Sequence, residues 1–208
     1  MTAAEIENEL SLAELLSEPD PARRWTKAFG ALRPLRIEIG VGKSEFLIQV
    51  CLQEPGFNYL GFEYSPKRVA NFLRQVELRG IRSIRMLRAN ASMYLSTLVA
   101  PASVDRFFVN FPDPWPKRRH TKHRLIQEPL AAILERLLLS GGGISLRSDD
   151  PSYAAEMRRV LDGTRGLTNL AGPGRFAVEP RDAIPTLYEQ KFRQEGRSIH
   201  YLEYRKGI

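Results

Sequence analysis

Five short strand-like segments, each followed by a helical pattern, constrain this 208-residue chain more than any single motif does. Leu35 to Ile39, Tyr59 to Glu63, Ile84 to Arg88, Val104 to Val109 and Ile144 to Leu146 read as strands. They alternate with helical patterns over 44–54, 65–80, 93–98, 126–139 and 153–161. Ser44 is a candidate helix cap, and Ser65-Pro66 supplies a cap and a first-turn proline. Pro55-Gly56, Gly80 and the run Gly141-Gly-Gly143 stop the helices before them, and Ser198 to Tyr204 alternates like a last strand. Such alternation predicts an α/β fold: a doubly wound, mostly parallel sheet with helices on both faces. Ligands then bind beyond the carboxyl ends of the strands. The unusual polar groups fall there: Glu38 to Gly42, Glu63, Asn90, Asp113, and Ser148 to Asp150.

Charge is distributed unevenly. Residues 1–20 contain Glu5, Glu7, Glu9, Glu14, Glu18 and Asp20 but no Lys or Arg. All 31 Lys and Arg lie beyond them, against 18 of the 24 Asp and Glu. The expected organisation is an acidic, loosely attached N-terminal helix over 1–20 and one domain over 21–208, with a long loop from Gly172 to Pro185. A body this basic predicts a polyanionic partner, nucleic acid before membrane. No apolar run approaches the roughly 20 residues a membrane span needs, and no signal-peptide pattern opens the chain. The single cysteine, Cys51, reads as core and excludes an internal disulfide, which fits a reducing, cytoplasmic setting.

Three nucleotide ligands compete for Glu38-Ile-Gly-Val-Gly-Lys-Ser-Glu-Phe46. A P-loop needs an earlier glycine where Ile37 stands, and a dinucleotide fingerprint needs one at Glu45, whose carboxylate would repel pyrophosphate. What remains is an acid, Gly40-Val-Gly42, and a second acid, Glu63, at the end of the next strand. That set suits S-adenosylmethionine, which has no phosphate but carries a sulfonium, an ammonium and ribose hydroxyls. Gly40 and Gly42 permit close backbone approach. Glu38 faces the positive methionine end, directly or through water; Glu63 accepts from the ribose, and Asn90 reads the adenine edge. The plainer alternatives are an acid satisfied by neighbouring backbone N–H groups at Glu38 and an exposed strand end at Glu63.

FPDPWPKRRHTKHR, from Phe111 to Arg124, sets a lone acid in a proline-rigid turn beside a strip of fixed cations. A charged, solvated helix start would look similar without the DPW turn. His120 and His123 lack a third ligand, so no metal is expected. Trp115 either stacks on RNA or anchors the loop.

These residues resemble the bacterial tRNA (guanine-N7)-methyltransferases. The resemblance rests on Glu38-Ile-Gly-Val-Gly42, Gly61-Phe-Glu63, Asn90-Ala91, Phe111-Pro-Asp-Pro-Trp-Pro-Lys117, Arg119-His-x-Lys-x-Arg124, Ser148-Asp149 and Thr186-Leu-Tyr-Glu189, over about three quarters of the chain. It implies a class I methyltransferase, Rossmann-like fold, with the C-terminal strand antiparallel to the rest. It implies cofactor contacts at Glu38, Gly40, Gly42, Glu63, Asn90 and Asp113, with Asp113 also the catalytic acid. Contacts to tRNA are implied at Lys117, Arg119, His120, Thr121, Lys122, His123, Arg124, Asp149, Thr186, Leu187, Tyr188 and Glu189. The expected products are S-adenosylhomocysteine and 7-methylguanine in the tRNA variable loop, from a monomer or a homodimer. Two positions depart from the family pattern: Ser44 replaces a third glycine, and Asp150 stands where an aromatic is common.

The reaction asks little of the protein. Guanine N7 has an in-plane lone pair, so in-line displacement needs alignment rather than a general base. Asp113, Asp149 and Glu189 can accept from guanine N–H groups, since carboxylates only accept. Three other readings remain: a non-catalytic RNA-binding protein, a small-molecule or protein methyltransferase, and an enzyme acting on an exocyclic amine, whose acid- or amide-Pro-Pro-aromatic loop DPW loosely resembles.

Overall fold

The computed structural model describes residues 8–179 and 184–207. The chain groups into two compact units, residues 1–100 and 101–208. Residues 1–7 of the expected N-terminal helix and 180–183 of the expected loop lie outside the described residues.

The first unit runs β1 (Glu9–Leu10), α1 (Leu12–Ser17), α2 (Pro21–Phe29), β2 (Leu35–Ile39), α3 (Phe46–Gln53), β3 (Asn58–Phe62), α4 (Pro66–Leu78), β4 (Ile84–Leu87) and α5 (Ala91–Leu98). Its strands lie in the order β1-β4-β3-β2, all parallel, with Ile37 beside Leu60 and Gly61 beside Met86. Every residue of β2, β3 and β4 is buried, as a parallel strand covered on both faces requires. Gly61 is a packing glycine: a Cβ there would meet the Met86 sulfur at 2.4 Å.

The acidic segment differs from the single loose helix expected. Its described part is a two-residue edge strand followed by a six-residue helix, and both are strapped down. Asn8 C=O accepts from Met86 N–H at 2.8 Å. Arg24, almost wholly buried, donates to the carbonyls of Leu15 (2.6 Å), Glu18 (2.5 Å) and Leu98 (2.6 Å), so α1 and α5 share one guanidinium. Carbonyls left without partners at helix ends are what such a buried cation satisfies.

The second unit runs β5 (Val104–Asn110), a 3-10 helix (Arg118–His123), α6 (Glu128–Leu137), β6 (Leu138–Ser148), α7 (Pro151–Asp162), β7 (Leu167–Asn169), α8 (Leu187–Gln194) and β8 (His200–Lys206). Its strands lie in the order β5-β6-β8-β7; β5 and β6 are parallel, and β8 runs antiparallel to both β6 and β7. The glycine run does not close α6, which ends at Leu137. It lies inside β6, opposite a register shift in β5 between Val104 and Arg106. Gly141 takes φ +78°, and a Cβ on Gly142 would stand 2.9 Å from the Asp105 carbonyl, so the bulge needs bare backbone. No helix among the described residues is long and apolar enough to cross a membrane.

Candidate active site

In the first unit, the expected cofactor residues gather at the ends of β2, β3 and β4. Gly40 and Gly42 have φ of +80° and +65°, the left-handed region that favours glycine. Space is open where a Gly40 Cβ would sit. Glu38 is fully buried in β2. Glu63 is buried as well and is not the exposed strand end that the plainer reading proposed. Its Oε1 accepts from the backbone N–H of Tyr64 and Ser65, each at 2.9 Å, and its Oε2 accepts from Gly42 N–H at 3.0 Å. The Arg68 guanidinium lies 3.5 Å from Oε2. One side chain thus holds the glycine loop and the start of α4 together. Oε2 receives a single hydrogen bond among the described residues, so it keeps capacity for a ligand hydroxyl.

Two expected caps work differently. Ser44 is buried and accepts from Phe46 N–H at 3.1 Å, while Glu45 holds the cap position of α3 without a side-chain bond. Ser65 makes no side-chain cap bond, its own N–H being taken by Glu63. Asn90 is exposed and caps α5, its Oδ1 accepting from Ser92 N–H at 3.0 Å.

In the second unit the DPW loop follows β5. Phe111 and Trp115 have φ of +51° and +44°, so Asp113 lies midway between two residues in a conformation costly for side chains of that size. Phe111 N–H donates to Arg147 C=O at 2.9 Å. Asp113 itself is exposed. Trp115 packs against the His123 ring in a tilted arrangement at 5.3 Å and edge-on to His120 at 5.8 Å, so it closes a small aromatic cluster with the 3-10 helix.

The cationic strip is not uniform. Lys117, Arg119 and Lys122 are exposed, with His120 and Thr121 half-buried and His123 exposed. Arg124 is instead buried: Nε donates to Pro114 C=O at 2.8 Å, Nη1 pairs with Glu156, and the guanidinium lies over the Tyr153 ring at 4.9 Å. Arg124 was expected among the RNA contacts, and its charge is instead engaged within the protein. It fastens the DPW loop to α7.

Glu189, expected at guanine, is fully buried. Its Oε2 accepts from Arg147 at 2.7 Å, and its Oε1 from Arg193 at 2.6 Å and from the Tyr201 hydroxyl at 2.5 Å. Burial alone would raise its pKa; Tyr201, Arg147 and Arg193 together hold it below the usual carboxylate range. Thr186 is buried as the cap of α8, its Oγ1 accepting from Glu189 N–H at 3.0 Å. Leu187 is exposed and Tyr188 half-buried. Asp149 pairs with Arg197 at 2.7 Å. Asp150 caps α7, accepting from Tyr153 N–H at 2.7 Å, which gives that departure a structural purpose. Among the described residues, no group of three or more His, Cys, Asp or Glu is placed to hold a metal ion.

Phe192, Arg197, Tyr201 and Glu156 join this unit's expected residues together and were not legible beforehand. Phe192 stacks with Tyr188 and touches Phe111 at 5.4 Å, while Arg197 covers Phe192 at 4.7 Å and reaches Asp149. Only Phe192 left a signal, its spacing of four from Tyr188.

Residues 32–202 match a family model described as a putative methyltransferase. A tRNA (guanine-N(7)-)-methyltransferase of Methylococcus capsulatus is 34% identical over 190 residues, covering 90% of this chain and 82% of that protein. One of Geobacter metallireducens is 31% identical over 182 residues, covering 88% and 86%. Among solved structures, the aminoglycoside resistance methyltransferase NpmB1 matches at 15% identity with a TM-score of 0.58, covering 91% of this chain and 94% of that one. That likeness shows a methyltransferase fold, as the family resemblance implies, built on the α/β sheet that the alternation of strands and helices predicts. By the extent and level of these matches, the chain belongs to the tRNA (guanine-N7)-methyltransferase family.

Proposed function

We propose that this chain methylates N7 of a guanine in the variable loop of tRNA, using S-adenosylmethionine, with residues 21–208 acting as one methyltransferase domain in the cytoplasm. The observation that carries the cofactor half is Glu63: a buried carboxylate bonded to Gly42 N–H beside two left-handed glycines. The donor set fits the group, since carboxylates suit a sulfonium, an ammonium and ribose hydroxyls, whereas a phosphate would be repelled. Gly40 and Gly42 would lie against the cofactor, with Glu38, Glu63 and Asn90 as its polar partners. When bound, S-adenosylmethionine supplies an electrophilic methyl group.

The protein's own work is positioning. Guanine N7 needs no proton removed, so the second unit contributes a fixed acceptor and a grip on the backbone. Asp113 is the acceptor: exposed, on a loop held by Arg124 and Arg147, and able to take an N–H of the base. Its negative charge favours the guanine as that base becomes cationic. Lys117, Arg119 and Lys122 supply phosphate contacts. Incubation with tRNA and S-adenosylmethionine, then borohydride–aniline cleavage, tests the reading: scission at one variable-loop guanine is expected. Methylation of an exocyclic amine, or none, would replace it.

A further inference from the structure

A second basic surface lies in the first unit, away from the DPW strip in sequence and built on a different element. Its groove, of about 470 Å³, runs from Gly42 along the exposed side of α4. Lys43, Lys67, Arg68 and Arg74 line it, against one carboxylate, Glu45. Glu45 is already paired with Arg79 at 2.9 Å, and Arg68 is turned toward Glu63. Lys43, Lys67 and Arg74 are exposed and have no hydrogen bond or ion pair among the described residues. Asn71, between Lys67 and Arg74, and Gln75, just beyond Arg74, add amide donors.

Unpaired cations held close together cost stability by mutual repulsion unless an anion shares them. The cofactor is a poor candidate for that anion, because its sulfonium and ammonium would face three exposed cations while the groove's one acid, Glu45, is already paired with Arg79. Lys67 and Arg74 are two helical turns apart, about 10 Å along α4, so the charge forms a line rather than a point. A line of cations with interspersed amide donors matches a sugar–phosphate backbone.

We infer that this groove binds phosphates of the RNA substrate, extending the RNA interface onto α4 through Lys43, Lys67 and Arg74. The inference rests on the proposed tRNA reading and adds a contact surface to it. Nothing in it depends on base identity, so the groove contributes affinity and salt dependence but not the choice of guanine.

The test is filter binding of tRNA over a salt series, with S-adenosylmethionine affinity measured in parallel by calorimetry. The protein carries Lys67→Ala and Arg74→Ala together, with Lys67→Arg/Arg74→Lys as the charge-preserving control. Both side chains are exposed, so the fold should survive, and circular dichroism checks it. Each lost phosphate contact flattens the plot of log affinity against log salt by roughly 0.7 units, so the double Ala variant should flatten it by more than one unit. The control should keep the parental slope, and cofactor affinity should stay the same in both. An unchanged slope in the double Ala variant, with the parent binding tRNA normally, overturns the inference and leaves the function intact. Weakened cofactor binding with an unchanged slope overturns it too and assigns the groove to the cofactor. A parent that neither binds nor methylates tRNA removes the functional reading itself.

Discussion

The Nε of Arg124 donates to the carbonyl of Pro114 at 2.8 Å, one residue beyond the acid of the DPW turn. The same guanidinium pairs with Glu156 and covers Tyr153, so a residue at the end of the basic strip serves the loop that precedes it. Two strained residues, Phe111 and Trp115, bracket this loop, and strain of that kind persists only when surrounding contacts determine it.

Arg124→Ala should therefore behave as a loop mutation and not as a lost phosphate contact. The expected cost is about 1.5–3 kcal/mol of stability, typical of hydrogen bonds to a charged group. Methylation should fall through kcat while the salt slope of tRNA binding stays parental. Lys at this position keeps the charge but lacks the planar fork, and should restore little. A flattened salt slope with unchanged kcat would return Arg124 to the RNA interface.

Glu189 calls for a different experiment, because its carboxylate is filled by Arg147, Arg193 and Tyr201. Removing one partner of a buried pair typically costs about 3–5 kcal/mol, so Glu189→Ala should lower the melting temperature and lose activity with the fold. The pH dependence has a definite sign. The folded pKa is depressed below the ordinary 4.5, so the stabilisation is present above that value and is lost as pH falls through the folded pKa. Glu189→Gln should accordingly flatten the acid limb of the stability profile. A variant as stable as the parent, but with slow methylation, would restore Glu189 to the guanine.

How much of this was legible depended on whether a residue's partners were local. The strands Leu35–Ile39 and Ile84–Leu87 were legible from apolar residues interrupted by Arg36, Glu38 and Arg85, charged side chains that the sheet buries as well. Gly40 and Gly42 declared themselves because only left-handed backbone needs glycine there. The two-residue β1 and three-residue β7 are too short to show any period, and their pairing depends on strands distant in sequence. The partners of Arg124 and Glu189 were hidden for the same reason. A charge looks solvated in sequence until Glu156, 32 residues on, or Arg147, 42 residues back, is brought against it.

Glu63→Ala should weaken S-adenosylmethionine binding by roughly 1–3 kcal/mol, the range for hydrogen bonds to a charged acceptor. The structure adds a second effect, since Gly42, Tyr64 and Ser65 lose their shared acceptor. Hydrogen exchange at those three amides should therefore accelerate even without cofactor. Glu63→Gln keeps one acceptor oxygen and should lie between the two. Unaltered cofactor affinity in the Ala variant, measured by calorimetry, would show that the carboxylate is only a loop brace.

Asp113→Ala should abolish most methyl transfer while leaving the fold intact. Asp113 is exposed, and the loop's anchors run through the Pro114 carbonyl and Phe111 N–H, not through its carboxylate. Loss of one preorganised group that stabilises developing charge typically costs about 10²–10³ in kcat. Binding of tRNA should hardly change, because Lys117, Arg119 and Lys122 remain. Asp113→Asn separates the two roles the carboxylate combines. It keeps an acceptor oxygen for the base but has no charge to offset the cationic product, so a partial recovery would assign part of the effect to hydrogen bonding. Single-turnover methylation at saturating cofactor and tRNA isolates that step. Turnover of the Ala variant within tenfold of the parent, about 1.4 kcal/mol in barrier, would remove Asp113 from the mechanism.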